Sequence, residues 1–271
     1  MKDSITLLCN ALTGLGSRNL VVVTGAGISL ASGIPTFRGS DPDAVWANDI
    51  MEKGTNQYFE RDPVGSWTWY LTRFDGVLDK HPNPAHLALA AIERWHVARD
   101  GRYVLITQNV DPLHEKAGSE RLIKVHGTAD QVRCTKPGCE NAAPSGALPR
   151  AAVDSAAFLA APRSATLPRC PSCGFVLRQH VLWFDEYYDG HDSYQWQRVI
   201  AAAAGADLML FVGTSFSVGV TDMFLRSAIE RRLPAFSIDP GATSAPHPQI
   251  ELLNEPAEEL LPRACTRLGA Q

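Results

Sequence analysis

Four cysteines stand in two close pairs, Cys134-x4-Cys139 and Cys170-x2-Cys173. Four thiolates at such spacing suit a tetrahedral zinc ion. Pro137-Gly138 and Pro171-Ser172 inside the loops, with Gly174 beside them, favour the tight turns that such knuckles need. An all-sulfur ligand set leaves no open coordination position, so this zinc is expected to be structural rather than catalytic. The N-terminus makes a poor secretion signal, because Asp3 comes early and no small-residue cleavage site follows a long apolar core. Metal is therefore favoured over disulfides, and the cytoplasm is the expected location. Cys9 and Cys265 are isolated and read as small core hydrophobes.

A second chemical signal is Gly25-Ala26-Gly27, directly after the apolar run at residues 19–24 (NLVVVT). Glycines there let the backbone turn tightly and bring free N–H groups to a pyrophosphate; a plain strand-to-helix turn explains them equally well. The third glycine of the usual dinucleotide fingerprint is not at its usual spacing. Asn109 and Asp111 follow another apolar run; they can hydrogen-bond a ribose or a carboxamide, or cap a helix start. His126-Gly127 also ends an apolar run, and an imidazole there suits a general base, although the chain has 8 histidines and most such residues are structural.

These groups need a scaffold. Short apolar runs recur at residues 103–107 (YVLIT), 122–125 (LIKV), 208–212 (LMLFV) and 235–238 (AFSI). Helical periodicity lies between them, as at residues 84–99, and an amphipathic helix with Ile5, Leu8 and Leu12 on one face opens the chain. Strands alternating with helices predict an α/β fold: a Rossmann-type parallel sheet with helices on both faces. The core is expected over residues 1–35, 82–127 and 180–271. Two inserts, helical over 36–81 and zinc-binding over 128–179, are expected to form a smaller domain within one catalytic unit. A net charge of −4 argues against a nucleic-acid partner, and no apolar run is long enough to span a bilayer. Composition leaves the oligomeric state open.

The string GAGISLASGIPTFRG at residues 25–39, with Thr107-Gln108-Asn109-Val110-Asp111, His126-Gly127 and the two cysteine pairs, resembles the sirtuin family over nearly the whole chain. The resemblance implies an NAD-dependent protein-lysine deacylase, with NAD as co-substrate and one structural zinc. It implies that Gly25, Ala26, Gly27, Ser32, Pro35, Phe37 and Arg38 contact NAD, as do Gln108, Asn109 and Asp111. Gly213-Thr214-Ser215 and Asp239 match later NAD-contacting positions, Asp239 replacing the usual Asn. His126 falls where sirtuins carry their base, with Asn109 and Asp111 as its catalytic companions; His114 matches a structural position. In the implied reaction the acyl oxygen attacks the ribose carbon as nicotinamide leaves, His126 deprotonates a ribose hydroxyl, and O-acyl-ADP-ribose and free lysine result.

Tyr70 and Arg73 match a Tyr-x-x-Arg pair of class III sirtuins, flanked by Asp62-Pro63 and Asn83-Pro84-Ala85-His86. Residues three apart share a helix face, and an Arg fork can grip a malonyl, succinyl or glutaryl carboxylate. Val181, Trp183 and Phe184 match the substrate-peptide loop, which in sirtuins pairs with an added strand. Asp185 stands in that loop where the family usually has Gly, so its side chain is expected to obstruct the peptide. The Tyr187-Tyr188-Asp189 run lacks the expected proline, and Val218 to Thr221 lacks the usual Pro-Ala. These departures keep two alternatives open: an ADP-ribosyltransferase or NAD glycohydrolase, and an NAD-sensing module without catalysis.

Overall fold

The computed structural model describes residues 3–36, 50–217 and 219–270. Phe37, Arg38 and Val218 lie outside the described residues.

In chain order the strands are β1 (Asn19–Thr24), β2 (Arg102–Thr107), β3 (Leu122–Lys124), β4 (Gly127–Cys134), β5 (Leu148–Pro149), β6 (Leu177–Val181), β7 (Leu208–Val212), β8 (Ala235–Ile238) and β9 (Glu251–Leu253). The helices are α1 (Ser4–Leu15), α2 (Ile50–Lys53), α3 (Asn56–Arg61), α4 (Pro63–Phe74), α5 (Pro84–Val97), α6 (Leu113–Lys116), α7 (Ala156–Ala160), α8 (Trp196–Gly205), α9 (Gly219–Glu230) and α10 (Ala257–Leu268).

Six strands form one sheet in the order β3-β2-β1-β7-β8-β9, and every pairing in it is parallel. Alternate residues of β1 supply opposite layers, as strand pleating requires. Leu20 and Val22 join α1, α5 and α10 in one core, while Val21 and Val23 join α8 and α9 in another. The strand order reverses between β1 and β7. In open parallel sheets a ligand crevice opens at that point, outside the carboxyl ends of the strands.

A third core belongs to the smaller layer. There α2, α3 and α4 pack on the antiparallel sheet β5-β4-β6 through Ile50, Phe59, Trp67, Phe158, Leu177 and Trp183. The Trp67 indole N–H donates to the Leu177 carbonyl at 2.7 Å, fixing α4 to β6. Helix starts explain two of the sequence blocks. Asp62 accepts from Gly65 N at the head of α4, and Asn83 accepts from Ala85 N at the head of α5 with Pro84 in its first turn.

The β4-β5-β6 sheet and β9 were not apparent from periodicity, because β5 and β9 have only two and three residues and β4 (GTADQVRC) is largely polar. Among the described residues no helix is long and apolar enough to cross a membrane.

Candidate functional site

A cleft of about 820 Å³ opens at the β1/β7 switch point and extends under the smaller layer. Gly25, Ala26 and Gly27 form one wall, and Gly213, Thr214 and Ser215 form the facing one. The glycines are needed because these loops nearly touch. A Cβ on Gly25 would stand 2.7 Å from the Gly213 carbonyl oxygen, and Gly213 itself has φ +59 with Ile28 N 2.3 Å from its Cβ position. The N–H groups expected to meet a pyrophosphate are partly engaged: Gly25 N donates to Val212 O at 3.1 Å and Gly27 N to Gly213 O at 2.9 Å. Close loop approach is therefore the first task of these glycines.

The Gln108-Asn109-Val110-Asp111 block follows the end of β2; Gln108, Asn109 and Val110 line the cleft and Asp111 lines the smaller pocket beside it. Asn109 Nδ2 donates to Gly25 O and to Ser29 Oγ, both at 3.1 Å. Ser29 Oγ in turn donates to Asp111 Oδ2 at 2.9 Å, while Asp111 Oδ1 accepts from Leu113 N at 3.1 Å. Burial raises the Asp111 carboxyl above its ordinary range, against the lowering by Leu113 N–H, Ser29 and Lys124. Asp111 thus both caps the turn into α6 and anchors the polar triad. Ser29, fully buried, is a site residue that the sequence reading did not single out. It lies inside the glycine-rich string, but nothing local shows that its hydroxyl joins both Asn109 and Asp111 of the block after β2. Gln108 Nε2 reaches Thr214 Oγ1 at 3.3 Å, linking the loops after β2 and β7.

His126 borders the same cleft. Gly127 after it has φ +76, and a Cβ there would lie 2.2 Å from His180 O, so only glycine lets the chain turn from the base into β4. The His126 carbonyl accepts from Leu182 N at 2.9 Å, holding the base against the loop that carries Trp183 and Phe184. Its Nδ1 lies 2.9 Å from Gln108 O; a carbonyl only accepts, so Nδ1 carries the proton and Nε2 the lone pair. Desolvation lowers the imidazole pKa to about 4, with the Gln108 hydrogen bond acting in the opposite direction. The group is therefore neutral, and basic at Nε2, at neutral pH. His114 is different: it is fully enclosed, bonded through Nε2 to Thr24 Oγ1 at 3.0 Å and packed on His86.

The remaining cofactor candidates divide. Asp239 lines the cleft and accepts from Gly241 N at 2.9 Å. Pro35 borders a smaller adjoining pocket. Ser32 lines neither and instead accepts from Asn83 Nδ2 at 3.1 Å. Of the pair on α4, Tyr70 lines the main cleft with Val181, Trp183 and Phe184, and its ring stacks on Phe74 at 5.3 Å. Arg73 lines the smaller pocket beside Asn109 and Asp111, with its guanidinium 4.7 Å above the Trp69 ring.

The cysteine pairs converge as their spacing predicts. The four Sγ atoms lie within 4.8 Å of one another, with Cys134–Cys173 at 3.4 Å and Cys139–Cys170 at 3.7 Å. Tetrahedral ligation at zinc–sulfur lengths of 2.3 Å requires sulfur separations of about 3.8 Å. The set therefore fits one zinc with no open position. Asn141 Nδ2 at 3.5 Å from Cys170 Sγ and Lys136 N at 3.4 Å from Cys134 Sγ supply outer hydrogen bonds of the kind that orient thiolate ligands.

A model of the Sir2 family matches residues 25–220. The chain belongs to the Sir2 family. It is 41% identical over 203 residues to an NAD-dependent protein deacylase of Thermus thermophilus, covering 74% of this chain and 71% of the relative. NAD-dependent protein deacylase 1 of Pseudomonas aeruginosa is 37% identical over 253 residues, covering 93% and 95%. Among solved structures, the NAD complex of a Sir2 homolog matches with TM-score 0.78 at 32% identity, covering 99% and 94% of the two chains. A mutant Sir2 homologue bound to ADP-ribose also matches at TM-score 0.78 and 32% identity, covering 98% and 96%.

Two carboxylates of this Sir2 chain, Asp185 and Glu186, fix the loop that lines the cleft. The Asp185 side chain is engaged at the start of α3. Its Oδ1 and Oδ2 accept from Asn56 N at 2.7 Å and Gln57 N at 3.0 Å, so the carboxylate caps α3 beside the Thr55 cap. Glu186, one residue on, is the centre of a part-buried ion cluster. Arg178 binds it in a fork at 2.6 and 2.9 Å, Arg133 adds a bond at 2.9 Å, and Trp183 N another at 3.0 Å. Burial raises the Glu186 carboxyl, but the bonds and charges of Arg178 and Arg133 outweigh this and leave it below its ordinary value. Together the two carboxylates hold the loop lining the cleft, Asp185 to α3 and Glu186 to β4 and β6.

Proposed function

We propose that this protein is an NAD-dependent protein-lysine deacylase with a preference for acidic acyl groups. The observation that carries the reading is the convergence, at the sheet's switch point, of a neutral His126 with Nε2 as acceptor, the Ser29–Asn109–Asp111 triad and the facing glycine loops. The polar cradle of Gln108, Thr214 and Asp239 suits a dinucleotide, and the named relatives act with NAD on acylated proteins. NAD, when bound, supplies the ribose carbon that accepts the acyl oxygen and the nicotinamide that leaves. The chain's own part is to orient and to move one proton. Asn109 and Asp111 fix the floor of the cleft, and His126 Nε2 takes the proton of a ribose hydroxyl, a step for which a lowered pKa keeps the base unprotonated.

The acyl preference rests on Tyr70 and Arg73. Both lie toward one end of α4, where the main cleft and the smaller pocket adjoin at Phe74, Asn109 and Val110. An acyl carboxylate entering there meets a guanidinium already oriented by the Trp69 face. A charge-assisted bond of about 1.5–3 kcal/mol favours succinyl over acetyl by roughly 10- to 150-fold. The test compares kcat/KM on succinyl- and acetyl-lysine forms of one peptide, with products identified by mass spectrometry. O-acyl-ADP-ribose and a succinyl preference lost in Arg73→Met are expected. An acetyl preference in the wild type, or equal loss of both activities in Arg73→Met, removes Arg73 from acyl recognition. Free or protein-bound ADP-ribose without acyl transfer would favour the glycohydrolase or transferase alternative.

A further inference from the structure

The imidazole of His126 is held at both nitrogens. Nδ1 is bonded to Gln108 O, and 3.3 Å from Nε2 stands the hydroxyl of Tyr188. That phenol is itself well supported. Its ring stacks on Trp196 with centroids 4.4 Å apart and planes 15° apart, and lies near-parallel to the His126 ring at 5.8 Å. Because Nδ1 carries the proton toward Gln108 O, Nε2 is the acceptor and the Tyr188 O–H donates to it. Burial raises the phenol pKa, so the proton needed for this bond stays in place. The neighbouring Tyr187 is 79% exposed, so the two tyrosines of the run serve different ends.

We propose that Tyr188 is a positioning residue for the base: its hydroxyl fixes His126 as the Nδ1–H tautomer with the Nε2 lone pair aimed into the cleft, and yields that lone pair to an incoming ribose hydroxyl. The inference rests on the deacylase reading in which His126 is the base. The bond is long for O–H···N, so a hydroxyl at ordinary hydrogen-bond distance displaces it readily. Donation to Nε2 stabilises the neutral imidazole and opposes its protonation. Charged groups on the surrounding elements are engaged elsewhere. Lys124 of β3 pairs with Glu115, Asp111 is bonded to Ser29 and Leu113 N, and Glu186 is held by Arg178 and Arg133. Tyr188 is thus the titratable side chain in contact with Nε2 among the described residues.

Tyr188→Phe tests the proposal, because it keeps the stacked ring and removes only the hydroxyl. Two measurements are made: titration of the His126 imidazole by NMR in the ligand-free protein, and steady-state kinetics with NAD. Loss of this hydrogen bond should raise the His126 pKa by about half a unit or more and, because Gln108 O alone then orients the ring before the ribose hydroxyl arrives, lower kcat about 5-fold. KM for NAD should stay within about twofold, because Tyr188 acts on the base and not on cofactor affinity. A His126 titration identical in the two proteins, or an unchanged kcat, overturns the proposal. Should the wild-type protein remove no acyl group, the deacylase reading fails by itself and the titration alone decides the role of Tyr188.

Discussion

Replacing Glu186 by Gln perturbs the ion cluster that holds the cleft loop while keeping its shape. In the native chain four bonds converge on one carboxylate, three of them from guanidinium groups. The side chains of Arg178, Arg133 and Glu186 are only 6%, 7% and 18% exposed, so solvent screens them weakly. Arg178 is further enclosed by the Trp183 ring, 3.3 Å from its guanidinium carbon. Gln supplies one acceptor oxygen and turns an NH₂ toward an arginine, leaving two buried cations without a counter-charge. Breaking a buried pair in this way costs about 3–5 kcal/mol.

In urea unfolding, with an m-value near 3 kcal/mol/M, the midpoint should fall by roughly 1–1.7 M at pH 7. The pH dependence has a definite sign. The folded carboxyl lies below its ordinary value of 4.5, so its stabilisation is fully present above about pH 4.5 and is lost as pH falls through the folded value. The gap between wild type and Glu186→Gln should therefore be constant from pH 8 to 5 and narrow below that. A deficit under about 1 kcal/mol, or one of equal size at pH 7 and in acid, would refute the assignment of Glu186 as the cluster's charged centre.

Further outcomes follow from the same geometry. Asp185→Gly removes the acceptor of two backbone donors of α3; it should cost about 1 kcal/mol, speed hydrogen exchange at Asn56 and Gln57, and raise KM for peptide. Tighter peptide binding in that variant would return Asp185 to the peptide path. Elemental analysis should find one zinc per chain, and Cys139→Ala or a strong chelator should cause cooperative loss of folding; active protein without metal would rule the site out. With the His126 pKa at about 4, kcat/KM should stay level from pH 7 down to about 5, where an ordinary histidine base would already have lost most activity. A limb centred near pH 6.5 would contradict that environment.

Much of the architecture was legible because each signal was local. Runs such as NLVVVT and LMLFV are buried on both sheet faces, so their composition alone marks them as parallel strands. The cysteine pairs were readable for the same reason: two tight turns fix the ligands within each pair, and metal chemistry demands that the pairs meet. His126-Gly127 was legible as a unit because the glycine is a backbone necessity. The short strands β5 and β9 were not, since two or three residues carry no period.

Tertiary structure alone decided which side chains share a site. Ser29 and Asp111 are 82 residues apart, and the hydroxyl joins the carboxylate only because β1 and β2 are paired neighbours. The partners of the Asp185 carboxylate lie 128 and 129 residues earlier, on a helix whose packing the sequence does not state. Tyr188 was one departure among several until the fold set its hydroxyl against the base 62 residues away. Sequence determines which groups are available and what local backbone they accept. Which partner desolvates, charges or bonds each group depends on three-dimensional neighbours, and those set the pKa of His126 and the direction in which Asp185 and Glu186 act.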